Sequence, residues 1–162
     1  MKSRRVVLAG GSAQVGRVLA RHFHSRGDSV VVLSRKPTNE PWPVAKWDGV
    51  TIGPWIEELN NADLVINLAG RSVNCRYNSR NRREILESRL KSTEILGRAI
   101  QQVPHPPRLW LNASTATIYR HALDRPMDEF TGDIDIVQPN APSTWNFSIE
   151  VATQWEETFF QT

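Results

Sequence analysis

Cysteine is almost missing from this chain: Cys75 is the single one among 162 residues. An internal disulfide is therefore excluded, a metal centre built on thiolates is not expected, and a reducing, cytoplasmic setting fits. Long apolar runs are missing too. Nothing approaches the roughly eighteen residues of a membrane span. The start "MKSRRVVLAGGSA" imitates a signal peptide, but its apolar run is only Val6 to Ala9, far shorter than an h-region, and it reads as a first strand. There is no low-complexity tract, no internal repeat and no linker. With 40% hydrophobic and 23% charged residues, positions 1–162 read as one globular domain able to bury a single core.

Charge is unevenly placed. Arg71, Arg76, Arg80, Arg82, Arg83, Arg89 and Lys91 crowd one stretch against Glu84 and Glu87, whereas the span from Asp124 to Glu157 is acidic apart from Arg125. A solvated helix face and an acidic loop account for this pattern, and an anionic ligand is the competing account. Nucleic acid is not expected, because no recognition motif accompanies the basic residues.

Segments rich in β-branched residues alternate with helical patterns, the order that builds a parallel sheet covered by helices. Strands are expected at Arg4 to Ala9, Ser29 to Ser34, Val44 to Trp47, Asp63 to Leu68 and Arg108 to Ala113. Most are continuous apolar runs such as "DLVINLAG" and "RLWLNAS", as in strands buried on both faces. Helices are expected at Gln14 to Arg26, Pro54 to Asn60, Asn81 to Gln102 and Trp145 to Phe160, with "VPHPP" ending the third. His121 to Ser143, with its prolines and acids, reads as a long loop.

The stretch "VVLAGGSAQVG" carries the first chemistry. In dinucleotide folds, glycines after the first strand make a tight turn, admit the pyrophosphate and allow close packing of helix on strand. Gly10 suits the turn and Gly16 the packing, while Ala13 stands where the middle glycine usually sits. At the end of the second strand "VVVLSRK" has Ser34, Arg35 and Lys36 in place of the acid that holds an unphosphorylated ribose. A hydroxyl and two cations suit a 2′-phosphate; a solvent-facing basic turn is the plainer account.

With the glycine turn, "SRK", "NLAG" (Asn67 to Gly70), "ESRLKSTEILGRAI" and "NASTATIY" (Asn112 to Tyr119) in order, the chain resembles the short-chain dehydrogenase/reductase superfamily. Within it, the resemblance is to the atypical extended branch, the nucleoside-diphosphate-sugar epimerase-like proteins. It implies an α/β, three-layer Rossmann fold with a mainly parallel sheet, here an N-terminal part lacking the last strands and the substrate-binding portion. It also implies an NAD(P) cofactor, and the basic end of the second strand makes NADP, rather than NAD, the one expected. Gly10, Ser12, Ala13, Gln14, Val15 and Gly16 match the pyrophosphate loop, Ser34, Arg35 and Lys36 the ribose end, and Leu68, Ala69 and Gly70 the fourth-strand turn. Thr115 matches the hydroxyl residue that polarises the substrate oxygen, with Ser114 its neighbour; local backbone bonding is the alternative role for both.

The family's acid/base pair is a tyrosine followed four positions later by a lysine. Here Asn146 and Glu150 fall at those places, so both chemistries are missing; Tyr119 is the one nearby phenol available to substitute, although core packing is its expected role. Ile85, Arg89, Thr93, Leu96 and Ile100 recur at helical spacing, so Arg89 stands on an apolar stripe. It is expected either to contact substrate or to make a structural ion pair, with Glu150 as candidate partner. The function implied is an NADP-binding oxidoreductase or nucleotide-sugar epimerase acting on a nucleotide sugar or another carbonyl compound, the alternative being a non-catalytic NADP(H)-sensing or partner-binding module. No membrane partner is expected, and an open sheet edge invites homo-oligomers.

Overall fold

The computed structural model describes residues 3–36, 39–134 and 139–162; positions 135–138, within the expected long loop, lie outside the described residues. The chain forms β1 (Arg5–Ala9), α1 (Gln14–Ser25), β2 (Ser29–Ser34), β3 (Val44–Lys46), a 3-10 segment (Pro54–Leu59), β4 (Leu64–Asn67), α2 (Ser79–Gln102), β5 (Trp110–Asn112), a short 3-10 turn (Ala116–Ile118) and α3 (Ser143–Gln161). The five strands are all parallel in the order β3-β2-β1-β4-β5. β1 is therefore central, with Val7 opposite Val31 on one side and Val65 on the other. This is the Rossmann-like α/β architecture that the alternating sequence pattern predicts.

Alternation along β1 builds the two core layers, since successive strand residues face opposite sides of a sheet. Val7 and Ala9 join Val31, Leu33 and Val65 beneath Ile95, Leu96 and Ala99 of α2. Val6 and Leu8 join Val30, Val32 and Ala20 of α1, with Leu19 and Phe23 packed alongside. Two aspartates fix the entry to this sheet. Asp28, before β2, accepts the Arg4 amide at 3.1 Å and the Arg4 guanidinium at 3.0 Å. Asp63, before β4, accepts the Arg5 amide at 2.9 Å. Hydrogen bonds from Arg4 hold the Asp28 carboxyl below the usual carboxylate range.

The elements depart from the sequence expectation mainly at their ends. α2 begins at Ser79, because the Asn78 side chain accepts the Asn81 amide at 2.9 Å and caps it. The expected helix at Pro54 is one 3-10 segment, held down by buried Trp55 and Leu59 and stopped where Asn61 takes a positive φ of 57°. β5 is shorter than expected and is not buried on both faces: it lies at the sheet border, and Leu111 remains 44% exposed.

A buried polar cluster locks the carboxyl end of the sheet to both helices on that face. Asn67 Nδ2 donates to Thr93 Oγ1 of α2 at 2.9 Å and to Asn112 Oδ1 of β5 at 2.7 Å. Its Oδ1 accepts the Ala69 amide at 3.1 Å. Thr93 Oγ1 also accepts the Trp155 indole N–H of α3 at 2.9 Å. A buried donor stripped of its acceptor costs about 1–3 kcal/mol. Thr93→Val is expected to lower stability by at least ~2 kcal/mol because it strands donors of both Asn67 and Trp155, whereas Thr93→Ser, which keeps the hydroxyl, loses only about 1 kcal/mol. Urea unfolding of the two variants checks this.

Candidate cofactor and substrate site

Where β1 ends, Gly10 takes a left-handed φ of +74° and its amide donates to Leu33 O of β2 at 2.9 Å. A Cβ there would lie 2.7 Å from Ala69 Cα, so the first and fourth strand turns touch backbone to backbone. Gly16, one turn into α1, is buried, and any Cβ on it would overlap Gly11. The helix therefore starts directly over the turn. Ala13 is its N-cap, with extended backbone and no side-chain cap. The first intrahelical bond runs from the Arg17 amide to Ala13 O at 2.9 Å, and no acid stands in the first turn. The amides of Gln14, Val15 and Gly16 precede that bond, so no carbonyl of the helix serves them, and this end carries the positive end of the helix dipole.

A cavity of about 140 Å³ opens at this point, between the carboxyl ends of the strands. It gathers Gly10 and Ser12 from the first turn, Ser34 and Arg35 from the end of β2, and Ala69 and Gly70 from the turn after β4. Ser34 Oγ donates to Ser12 Oγ at 3.0 Å, which ties the second strand to the glycine turn. Of the remaining positions singled out in sequence, Ala13, Gln14 and Val15 are exposed on the adjoining helix start, Gly16 lies beneath it, Lys36 is exposed outside the lining, and Leu68 donates its amide to Ala9 O at 2.8 Å.

Sequence reasoning missed the far wall, formed by Trp47, Asp48, Gly49, Arg71 and Ser88. "WDG" after β3 was its signal: the Asp48 carboxylate accepts the Val50 amide at 2.8 Å, the Thr51 amide at 2.9 Å and the Thr51 hydroxyl at 2.6 Å. These bonds, the hydroxyl foremost, hold its pKa below the ordinary aspartate value.

A second cavity, of about 360 Å³, lies beyond β4 between α2, β5 and α3. Ser114, Thr115 and Arg89 line it, together with Tyr77, Phe147 and Trp155. Thr115 Oγ1 accepts the Thr117 amide at 3.3 Å and shares a hydrogen bond with the Thr117 hydroxyl at 3.0 Å. Ser114 donates to Glu156. The face of α3 toward this cavity is Phe147, Ser148, Val151 and Trp155; Asn146 and Glu150 do not line it, and Glu150 is exposed.

Tyr119 is not at the second cavity: its ring packs against Gly132, and its carbonyl accepts the Trp145 indole at 3.0 Å. The phenol on the cavity is Tyr77, which stands 42 residues earlier in the chain and packs edge-on to Phe147 at 5.5 Å. Arg89 makes no ion pair with Glu150, whose carboxylate accepts from Gln154 at 3.4 Å. Instead Arg89 Nη1 donates to Ile85 O at 2.9 Å and Arg71 O at 3.2 Å, and the guanidinium stacks over Trp155 at 5.2 Å. Burial pushes its pKa below the ordinary arginine value.

The rest of the basic stretch is mostly engaged at the surface. Arg71 and Arg80 pair with Glu84, Lys91 with Glu87, and Arg82 stacks over Phe147 at 4.7 Å. Among the described residues no helix is long and apolar enough to cross a membrane.

This arrangement, with a glycine turn at the switch between β1 and β4 and a hydroxyl pair after β5, agrees with a family model that matches residues 6–143. The chain belongs to the NAD dependent epimerase/dehydratase family. It is 31% identical over 157 residues to the epimerase family protein SDR39U1 of Bos taurus, covering 94% of this chain and 47% of that one. The epimerase family protein YfhF of Bacillus subtilis is 28% identical over 155 residues. Among solved structures, human SDR39U1 with NADPH superposes with a TM-score of 0.77 at 29% identity, covering 96% of this chain and 48% of that one. MoeE5 in complex with UDP-glucose and NAD shares the fold, with a TM-score of 0.73 at 21% identity. The chain spans about half the length of the curated relatives it matches.

In this member of the family the close approach at Gly16 is a packing constraint open to test. Overpacking a tight contact costs about 1–3 kcal/mol. Gly27, by contrast, has nothing within 4 Å of where a Cβ would stand and only its φ of +81° to strain. Gly16→Ala is expected to melt well below Gly27→Ala, which loses only about 1 kcal/mol; thermal denaturation of both checks the order.

Proposed function

We propose that this chain binds NADP(H) across the carboxyl ends of β1, β2 and β4 and presents a carbonyl or alcohol substrate from the second cavity. The observation that carries the reading is the backbone cradle of Gly10, Gly11 and Gly16, where added Cβ atoms would clash, set beside an exposed Arg35 on the same cavity. Free amides at the start of α1 suit a pyrophosphate. Ser34 and Arg35, with Lys36 nearby, suit a 2′-phosphate through charge-assisted hydrogen bonds. Ala69 and Gly70 close the adenosine side. NADPH in the human SDR39U1 structure supports the same choice, while MoeE5 carries NAD.

When bound, the cofactor supplies or accepts a hydride at nicotinamide C4. The residues of this chain do the rest. Thr115, oriented by Thr117, holds the substrate oxygen on the second cavity, and Tyr77 is the phenol on that cavity able to give or take a proton there. The reaction class is oxidoreduction or epimerisation of a nucleotide sugar or another carbonyl compound.

A second reading, a non-catalytic NADP(H)-sensing module, is favoured by the apolar face of α3, where Phe147 and Val151 look onto the cavity in place of an acid/base pair. Turnover decides between them. Reduction of a carbonyl panel with NADPH, slowed at least tenfold in Thr115→Val, supports catalysis; no turnover with intact NADPH binding supports the sensor.

Cofactor choice is tested by tryptophan fluorescence titration. NADPH is expected to bind more tightly than NADH, and Arg35→Ser to raise the NADPH Kd by about 10–100-fold, the loss of one charged hydrogen-bonding contact, while leaving NADH unchanged. Equal affinities in the parent protein refute the assignment.

A further inference from the structure

The second cavity holds one cation and no acid. Arg89 is its only charged lining residue among those described, and the hydroxyl of Ser114, which also lines it, donates to Glu156. Only Nη1 of Arg89 is used, on two backbone carbonyls; Nε and Nη2 have no partner among the described residues. Stacking on Trp155 orients the guanidinium plane and contributes to its stability without neutralising the charge. Gly70 is part of the fit, since a Cβ there would lie 3.1 Å from Arg89 Cζ. A cation held this way, in a cavity walled by Ile85, Phe147, Val151 and Trp155, has no counter-ion among the described residues. The cavity's volume of about 360 Å³ suits a compact molecule.

We infer that the second cavity takes a compact carboxylate, the carboxylate seated on the unused Nε and Nη2 donors of Arg89 and the apolar remainder against Phe147, Val151 and Trp155. That this ligand is also the substrate rests on the cofactor reading above; that the cavity selects a carboxylate does not. Paired N–H donors on a planar guanidinium match the two carboxylate oxygens, and a low-dielectric wall strengthens the pairing.

The probes are 4-fluorobenzoate and its uncharged counterpart 4-fluorobenzamide, followed by fluorine NMR on the protein with and without NADPH. The benzoate is expected to bind at least tenfold more tightly, the preference to vanish in Arg89→Met, and to persist in Arg35→Ser. The comparison on the parent protein stands even if Arg89→Met fails to fold, and Arg89→Lys, which keeps the charge, retains part of the preference. Equal binding of the two probes overturns the inference. So does an Arg89→Met variant that folds and keeps the benzoate preference. A benzoate preference in a protein that fails to bind NADPH supports the carboxylate site and refutes the cofactor reading alone.

Discussion

The side chain of Asn67 is fully buried at the carboxyl end of β4, and the geometry of both cavities follows from how its amide is satisfied. Its carbonyl oxygen takes the Ala69 amide, and its nitrogen divides between Thr93 and Asn112. Ala69, held in this way, is the backbone against which Gly10 turns. Thr93 in turn receives the indole of Trp155, whose ring carries Arg89. One amide thus fixes the turn bordering the first cavity and, through a single hydroxyl, the aromatic wall of the second. Buried polar clusters are effective only when every member is served, and here each donor and acceptor of Asn67 has a partner.

From that shared hub the two cavities diverge electrically. Arg35 is exposed at the mouth of the first, where water screens its charge, so it rewards a ligand group of high charge density close by. Arg89 sits half-buried against Trp155, where desolvation works against its own charge and a single counter-ion restores the balance. The same residue type therefore stands in two different environments.

The sheet and the glycine turn are legible in sequence because both are local. Ser29 to Ser34 alternates between the two core layers over its own length, and Gly10 and Gly16 flank one turn. The second cavity is only partly legible. Arg89 stands out on its stripe and Thr115 on its strand end, but Trp155 meets Thr93 across 62 residues, and nothing in a helical pattern distinguishes a threonine that receives two buried donors from one that merely packs. Nearness in sequence to Thr115 points to Tyr119 as the site's phenol; Gly132, which leaves room for the ring on the other side, belongs to a loop whose path no periodicity records. Tyr77 precedes its helix and escapes notice for the same reason: its place is set by Phe147 of α3, not by its neighbours.

The distribution of polar groups around the second cavity bears on where chemistry can originate. α3 contributes Phe147, Val151 and Trp155 together with the hydroxyl of Ser148, which donates to Thr144 O at 2.9 Å and so is already committed to its own helix. The uncommitted hydrogen-bonding capacity is elsewhere, in the Thr115 and Thr117 hydroxyls after β5, in Tyr77 before α2 and in Arg89 on α2. An acid/base device built on α3 requires two titratable groups one helical turn apart on its inner face, and none of the α3 residues that line the cavity is titratable. Among the described residues, the hydrogen-bonding groups brought to this cavity thus lie between the end of β5 and the start of α2, beside the guanidinium of Arg89. α3 thus forms a mainly apolar wall of this cavity, and the one cation that lines it among the described residues comes from α2.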